Sequence, residues 1–99
     1  MKSNPDDHDH AAATSVAVTD ESITVDLSDG RTLSAPIGWY PRLAHGTPAE
    51  RSRFHLIAHG RGIHWPDLDE DISVANLLEG HPSGESQDNL AKWLAIRPR

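Results

Sequence analysis

Apolar residues alternate with polar ones in the first third of the chain. The apolar positions are Val16 and Val18, followed by Ile23, Val25 and Leu27. Side chains two positions apart lie on the same face of a β-strand, so this period is typical of half-buried strands. The pattern predicts two strands joined as a hairpin at Asp20-Glu21.

A third strand is predicted from Arg31 to Ala35, with Leu33 facing the core. The residues before it, Asp29-Gly30, tolerate the positive φ angles that tight hairpin turns require. Pro36 lacks an amide hydrogen and is expected to end the ladder. The first three strands should therefore form one antiparallel sheet.

A helix start is encoded at Thr47-Pro48-Ala49-Glu50. The threonine hydroxyl can accept the Glu50 amide, the Glu50 carboxylate can accept the Thr47 amide, and proline suits the first helical position. This capping box predicts a short helix that ends near Arg53.

A second hairpin is predicted next. Residues 54–58 have the alternation of a strand, with Phe54, Leu56 and Ala58 on one face, and residues 63–65 form its partner. Gly60-Arg61-Gly62 provides the turn.

Helical spacing returns toward the C-terminus. An acidic run at residues 67–71 precedes an amphipathic segment at residues 72–80, and carboxylates ahead of a helix interact favourably with its positive end. Gly80 is placed to end that helix. After a linker at residues 81–84, Leu90, Trp93 and Leu94 recur at helical spacing and predict a C-terminal helix.

These segments predict an α+β fold: a small antiparallel sheet of about five strands, in two hairpin units, with two or three short helices. A chain of 99 residues has room for one core. We expect a disordered leader at residues 1–13, one α+β domain at 14–80, and a linker with a short amphipathic helix at 81–99. The predicted core comprises Val16, Val18, Ile23, Val25, Leu27, Leu33, Leu56, Ile63, Leu77 and Leu78.

Composition narrows the function. The formal net charge is −6, whereas proteins that hold nucleic acid through its phosphates usually carry excess Lys and Arg. An acidic surface suits a basic partner and also keeps small proteins soluble. There is no cysteine, and no apolar run long enough for a signal peptide or a membrane span, so we expect a cytoplasmic protein without membrane contact.

Two groups of side chains are candidate metal ligands: an acidic run and a group of histidines. Asp67, Asp69 and Asp71 have the spacing of a calcium loop, but Ile72 and Leu78 stand where that loop needs Gly and Glu. We interpret these acids as a solvated, helix-capping run.

The histidines at positions 55, 59 and 64 are close in sequence. Four residues of strand separate His55 from His59 by about 13 Å, too far for one ion. We predict no metal site and no cofactor.

No catalytic motif is evident either. The Ser86 region lacks the second glycine of a nucleophile elbow, and Gly60-Arg61-Gly62 lacks the spacing and the Lys and Ser/Thr of a phosphate loop. We predict no enzyme activity and no catalytic residue. Four arginines, at positions 42, 51, 53 and 61, are expected to pair with nearby acids rather than to bind phosphate.

Several segments together resemble the bacterial domain of unknown function 2442. They are Asp29-Gly30-Arg31, Trp39-Tyr40-Pro41-Arg42-Leu43, Thr47-Pro48-Ala49-Glu50-Arg51 and the stretch from Gly62 to Ser73. The resemblance covers roughly residues 15–80. It implies a compact α+β domain, often encoded beside a second small domain in pairs proposed to be toxin–antitoxin systems, with this chain as the antitoxin. It supplies no catalytic residue.

The leading hypothesis is a protein-binding module, antitoxin-like, with a small protein partner encoded by a neighbouring gene. Exposed aromatic residues beside charges suit interface anchors. The candidate interaction surface comprises Trp39, Tyr40, Arg42, His64, Trp65, Asp67, Asp69 and Trp93.

Two alternatives stay open. One is a DNA-binding transcriptional regulator that acts as a dimer or with a partner through the basic tail Lys92, Arg97 and Arg99. The other is a small enzyme in which His64 exchanges protons with Asp67 or Asp69.

Overall fold

The structure is a computed structural model that describes residues 11–97. Its strands are β1 Ala13–Val18, β2 Ser22–Leu27, β3 Thr32–Pro36, β4 His55–Ile57, β5 Gly62–Trp65 and β6 Glu70–Ser73. Its α-helices are α1 Pro41–Ala44, α2 Pro48–Ser52, α3 Val74–Glu79 and α4 Gln87–Ile96, and short 3₁₀ turns span Ile37–Trp39 and Ala58–Gly60. The predicted α+β class is confirmed, with six strands instead of about five.

The strands form two antiparallel sheets, in the orders β1-β2-β3 and β4-β5-β6. In the first sheet, Ile23, Val25 and Leu27 are buried. On its other face, Asp26 accepts hydrogen bonds from Ser15 Oγ at 2.7 Å and Thr32 Oγ1 at 2.8 Å. The predicted alternation of apolar and polar faces is confirmed.

The turn predicted between β2 and β3 is also confirmed. Gly30 has a φ of 94°, a left-handed conformation that glycine adopts without steric cost. The amide of Arg31 donates to Asp29 Oδ1 at 3.1 Å. Pro36 is the last residue of β3, as expected.

The second sheet turns Ile63, Trp65 and Ile72 toward the core. Trp65 is 0% exposed, and its indole Nε1 donates to the backbone oxygen of Arg51 at 3.0 Å. A buried indole N–H normally requires such an acceptor. This bond ties the second sheet to α2.

The prediction for residues 54–58 is wrong in part. The strand spans only His55–Ile57, because Ala58 and His59 have φ angles of 53° and 58° that end it. Leu56, predicted to lie in the core, is 41% exposed. The reason is its position on β4, which among residues 11–97 is an edge strand paired with β5 alone.

The interpretation of residues 67–71 as helix-capping acids is wrong. Residues 66–69 form a turn, Glu70 and Asp71 belong to β6, and α3 begins only at Val74. The cap is Ser73, whose hydroxyl accepts the Asn76 amide at 3.0 Å. Pairing with β5 outweighs the local helical pattern of Ile72 and its neighbours.

The capping box of α2 is confirmed: Thr47 Oγ1 accepts the Glu50 amide at 3.1 Å, and Glu50 Oε1 accepts the Thr47 amide at 2.9 Å. Gly80 ends α3 with a φ of 75°. A C-terminal helix, α4, follows its N-cap Ser86.

Most of the core prediction holds. Ile23, Val25, Leu27, Ile63 and Leu77 are buried, and Val16, Val18, Leu33 and Leu78 pack against them half-buried. The core also contains residues outside the predicted set, among them Tyr40, Leu43, Trp65 and Leu68.

The N-terminal boundary also differs from the prediction. Ala11 and Ala13 are buried, although both fall within the segment predicted as a leader. The rest of that segment, residues 1–10, lies outside the described residues. Between residues 11 and 97, no helix has the length and apolarity needed to cross a bilayer.

Gly60 is predicted to be essential for stability. Its φ is 84°, and a Cβ there would stand 2.9 Å from Ala12 Cβ and 3.1 Å from the Ala13 oxygen. We expect Gly60→Ala to lower the free energy of unfolding by about 1 to 3 kcal/mol, through strain and a steric clash. Urea denaturation measures this loss.

Gly38 provides the matched control, because a Cβ added there meets no atom within 4 Å. We expect Gly38→Ala to change stability by no more than about 0.5 kcal/mol. If Gly60→Ala lowers the free energy of unfolding no more than Gly38→Ala does, the close contact between the β4–β5 turn and the start of β1 does not contribute to stability.

Candidate functional site

Arg51 joins the layers of the fold. It is 6% exposed. Its Nε donates to the Leu43 oxygen at 2.8 Å, while its two terminal nitrogens donate to the Ala44 oxygen at 2.9 Å and Asp20 Oδ1 at 2.6 Å. These bonds fix the end of α1 against α2 and the β1–β2 turn. Its three guanidinium nitrogens are therefore all engaged in holding these elements together.

Helix α4 is held against α1 and α2 by a stack of side chains. Arg42 and Arg97 both lie over the ring of Trp93, with guanidinium carbons 5.0 and 4.8 Å from the ring centroid. We call these three residues the Trp93 stack. Cation–π contacts of this kind contribute about 0.5 to 2 kcal/mol each.

Each arginine of the Trp93 stack also holds a carboxylate. Arg42 donates to Glu85 through Nε at 2.6 Å and a terminal nitrogen at 2.9 Å. Arg97 donates to Glu50 at 2.6 and 3.1 Å. Such two-point pairs fix orientation as well as charge.

These contacts shift the pKa of the Glu50 carboxyl strongly. The hydrogen bonds from Arg97 are the main cause that lowers its pKa to about 2. The bonds from Thr47 contribute to this shift, and partial burial opposes it. Since Glu50 also caps α2, one carboxylate joins the start of that helix to the end of α4.

The expectation that the arginines pair with acids is confirmed for three of them. Besides Arg42 and Arg51, Arg53 contacts Asp67 at 2.8 Å. Arg42 additionally donates to the Asp69 backbone oxygen at 3.0 Å. Phosphate or acidic-peptide binding by these arginines would require breaking existing pairs.

An acidic cleft of about 330 Å³ lies between β6 and the segment before α4. Its lining residues are Arg42, Asp69, Glu70, Asp71, Ser83 and Glu85. The amide of Ser83 donates to the Trp39 oxygen at 2.9 Å, which holds the outer wall in place.

A smaller cavity of about 150 Å³ adjoins the cleft and shares Asp71 and Ser83 with it. Tyr40 lines this cavity. Tyr40 is 3% exposed, and its buried hydroxyl has no hydrogen-bond partner among the described residues. Burial and the charge of Glu70 raise the pKa of Tyr40.

Glu70 is the other unusual group. One oxygen, Oε1, accepts the Asp71 amide at 2.9 Å, whereas buried Oε2 has no partner in the described part of the chain. Burial raises the pKa of this carboxyl, although Arg42 and the Asp71 amide act in the opposite direction. The sequence pattern does not reveal Glu70, because an acid ahead of a predicted helix is expected to be solvated.

His64 does not meet the acids that the enzyme hypothesis assigned to it. Its Nδ1 lies 2.5 Å from Asp71 Oδ1, directly across the β5–β6 ladder. Asp67 and Asp69 contact arginines instead. The proposed arrangement of His64 with Asp67 or Asp69 is therefore wrong.

The histidines are also arranged differently from the expectation. His55 and His64 face each other directly across β4 and β5, while His59 lies in the turn after β4. Within residues 11–97, no group of three or more His, Asp or Glu side chains is placed to hold a metal ion.

The predicted interaction surface does not form a continuous exposed patch. Trp65 and Tyr40 are 0% and 3% exposed, so the premise of exposed aromatic anchors is wrong for these two. Trp39 and Trp93 are half-buried against the core. Asp67 and Asp69 are at the surface, each beside an arginine.

The basic tail that the DNA-binding alternative requires is partly engaged in contacts within the domain. Arg97 is engaged by Glu50 and stacked on Trp93, so it is not available for phosphate. Lys92 is exposed, and Arg99 lies outside the described residues.

Two three-stranded antiparallel sheets, four short helices and an ion-paired acidic cleft define a small α+β domain. The sequence profile of the family described as "Protein of unknown function (DUF2442)" matches residues 13–83. The chain belongs to this family, as the resemblance implied.

Two solved structures share the fold. The chain is similar to a protein of unknown function from Rhodospirillum rubrum, with 22% identity and a TM-score of 0.66 over 79% of this chain and 96% of that one. It is also similar to the uncharacterised protein CV0863 from Chromobacterium violaceum, with 25% identity and a TM-score of 0.65 over 92% of this chain and 80% of that one. No curated protein matches the chain.

Glu50 predicts a pH dependence of stability. Its pKa is about 2 in the folded chain and 4.5 ordinarily, so its contribution is present above pH 4.5 and is lost as the pH falls toward 2. We expect Glu50→Gln to cost about 1 to 3 kcal/mol at neutral pH, and the difference from wild type to shrink in acid. Denaturation at several pH values measures both.

Glu21→Gln is the control, because Glu21 is exposed in the β1–β2 turn. It should leave both stability and its pH dependence unchanged. A pH-independent difference between wild type and Glu50→Gln would contradict the assigned pairing with Arg97.

Proposed function

We propose that this domain is a protein-binding module, not an enzyme, and that it binds its partner by strand addition at β4. The observation that carries the proposal is the open edge of the second sheet. In the described part of the chain, β4 forms backbone hydrogen bonds on one side only, to β5. Folded proteins usually shield such edges, since unpaired N–H and C=O groups recruit another strand.

The side chains of β4 support the proposal. Leu56 and Ile57 are 41% and 42% exposed. They point to opposite faces of the sheet, as neighbours in a strand must. Leu56 pairs in register with buried Ile63, whereas Ile57 lies over Gly62, 2.9 Å from where a Cβ would stand. An added strand could contact an apolar side chain on each face.

Local charge indicates the kind of segment that fits. From Arg51 to Pro66 the chain contains three Arg and three His but no Asp or Glu, although the whole protein carries a net charge of −6. Arg51 and Arg53 are already paired with Asp20 and Asp67. The exposed Arg61 and the histidines remain to attract acidic side chains of an extended, apolar partner segment. This basic charge disfavours a second copy of β4, which would bring the same basic residues together.

The antitoxin-like role is a finer form of this proposal. The partner would be a small protein encoded by a neighbouring gene, as in the pairs proposed for relatives of this family. Membership of this family supports it.

The test uses a double variant in which Leu56 and Ile57 are both replaced by Glu, because an acidic partner segment repels a carboxylate. The tagged wild-type chain is co-expressed with the product of the neighbouring gene, and affinity for the purified partner is measured by calorimetry. We expect the double variant to bind at least about tenfold more weakly, because charged side chains block strand addition.

Ile96→Glu is the matched control, since Ile96 is apolar and 81% exposed on α4. It should bind like wild type. Full affinity of the double variant with intact circular dichroism, or failure of the wild-type chain to bind the partner, would refute strand addition at β4.

A further inference from the structure

Two buried polar atoms near the acidic cleft lack hydrogen-bond partners within the described residues: the hydroxyl of Tyr40 and Oε2 of Glu70. More than about nine-tenths of buried polar groups in folded proteins are hydrogen-bonded. Two such groups on adjoining cavities point to something that binds between them. Neither is explained by strand addition at β4.

The strand register and a hydrogen bond fix the orientation of the Glu70 side chain. It stands opposite Trp65 in the β5–β6 ladder, so it points to the same side of the sheet as that buried ring. Its Oε1 is held by the Asp71 amide. Oε2 is therefore fixed, inside the protein, with its acceptor capacity unused.

The cation nearest to this carboxylate is already committed. Arg42 uses its Nε and one terminal nitrogen on Glu85, and its other terminal nitrogen on Asp69. The cleft then contains four carboxylates and one guanidinium. Its excess negative charge remains uncompensated, a condition that a bound cation would relieve.

We propose that Glu70 and Tyr40 form a binding site for a primary ammonium group at the junction of the acidic cleft and the smaller cavity. An ammonium has three N–H donors and no acceptor. Glu70 Oε2 and the Tyr40 hydroxyl oxygen each offer lone pairs to it. The lone pairs of the outer carboxylates, such as Asp71, attract it into the cleft.

The dimensions set the class of ligand. Cavities of about 150 and 330 Å³ accommodate an alkylammonium, and the four carboxylates of the cleft disfavour a phosphate-bearing ligand such as a nucleotide. The shared chemistry has two sources, a free small diamine or the side chain of a lysine on another protein. This site is independent of the β4 edge, so failure of either proposal leaves the other standing.

Binding should depend on pH. Burial raises the pKa of Glu70 most, the Asp71 amide and Arg42 lower it, and the charges of Glu85 and Asp71 raise it. Tyr40 also faces Glu70, and His81 lines the smaller cavity. A protonated Glu70 cannot compensate an ammonium. Affinity should therefore fall as the pH drops below the raised pKa of Glu70.

Chemical-shift titration followed by amide NMR tests the site. The probes are 1,4-diaminobutane, a short N-acetylated peptide with one lysine, and the same N-acetylated peptide with norleucine in its place. We expect saturable shifts at residues 70–71 and 83 with a cationic probe and none with the norleucine peptide. Response to the diamine alone assigns a free amine, and response to the lysine peptide assigns a protein side chain.

Glu70→Gln and Tyr40→Phe are the diagnostic variants. Glu70→Gln should weaken binding at least about tenfold and Tyr40→Phe by a smaller factor, because the charge dominates over one hydrogen bond. Glu21→Gln should bind like wild type.

Thermal stability provides a second readout for variants that bind poorly. The cationic probe should raise the Tm of wild type and leave that of Glu70→Gln unchanged. If neither cationic probe gives saturable shifts with folded wild type, or if Glu70→Gln binds as well, the two atoms are satisfied by water alone and the proposal fails.

Discussion

The buried guanidinium of Arg51 is the contact on which the arrangement of this domain depends. It donates to the end of α1 and to Asp20 in the first hairpin turn, while its own backbone oxygen accepts the indole of Trp65. One residue thus links both sheets and two helices. Because a buried cation without its acceptors costs several kcal/mol, these elements can hardly shift independently.

The position of the acidic cleft follows from this linkage. Arg51 fixes the end of α1, and α1 carries Arg42, which holds Glu85 and stacks on Trp93. The segment before α4 is thereby held beside β6, with Glu70 between them. The binding surfaces we propose lie on opposite electrostatic regions of the domain: a basic, apolar strand edge at β4 and an acidic cleft at β6.

Local rules predicted the parts of the fold that depend on local physics. The period-two pattern of Ile23 and Val25, and the capping box of Thr47, require only neighbours in sequence or in the adjacent strand. Residues 70–73 have a local pattern that predicts a helix for Ile72 and Ser73, but pairing with β5 makes all four extended. The prediction that Trp65 is an exposed anchor is wrong, because the sequence does not show which face of the sheet the helices cover.

The candidate site was less predictable for the same reason. Glu70 and Tyr40 are thirty positions apart, and no spacing rule brings a strand residue and a turn residue together across two cavities. The edge at β4 is partly visible in the sequence, since residues 51–66 combine basic residues with exposed apolar ones and contain no acid. Whether a strand is an edge, however, is a property of sheet order, which the sequence pattern does not report.

Hydrogen exchange of the backbone amides of residues 55–57, with and without the partner, tests the central claim most directly. The account predicts rapid exchange at β4 in the free domain and strong protection in the complex, because an added strand would occupy the open edge. A complex that forms without protecting these amides would contradict it.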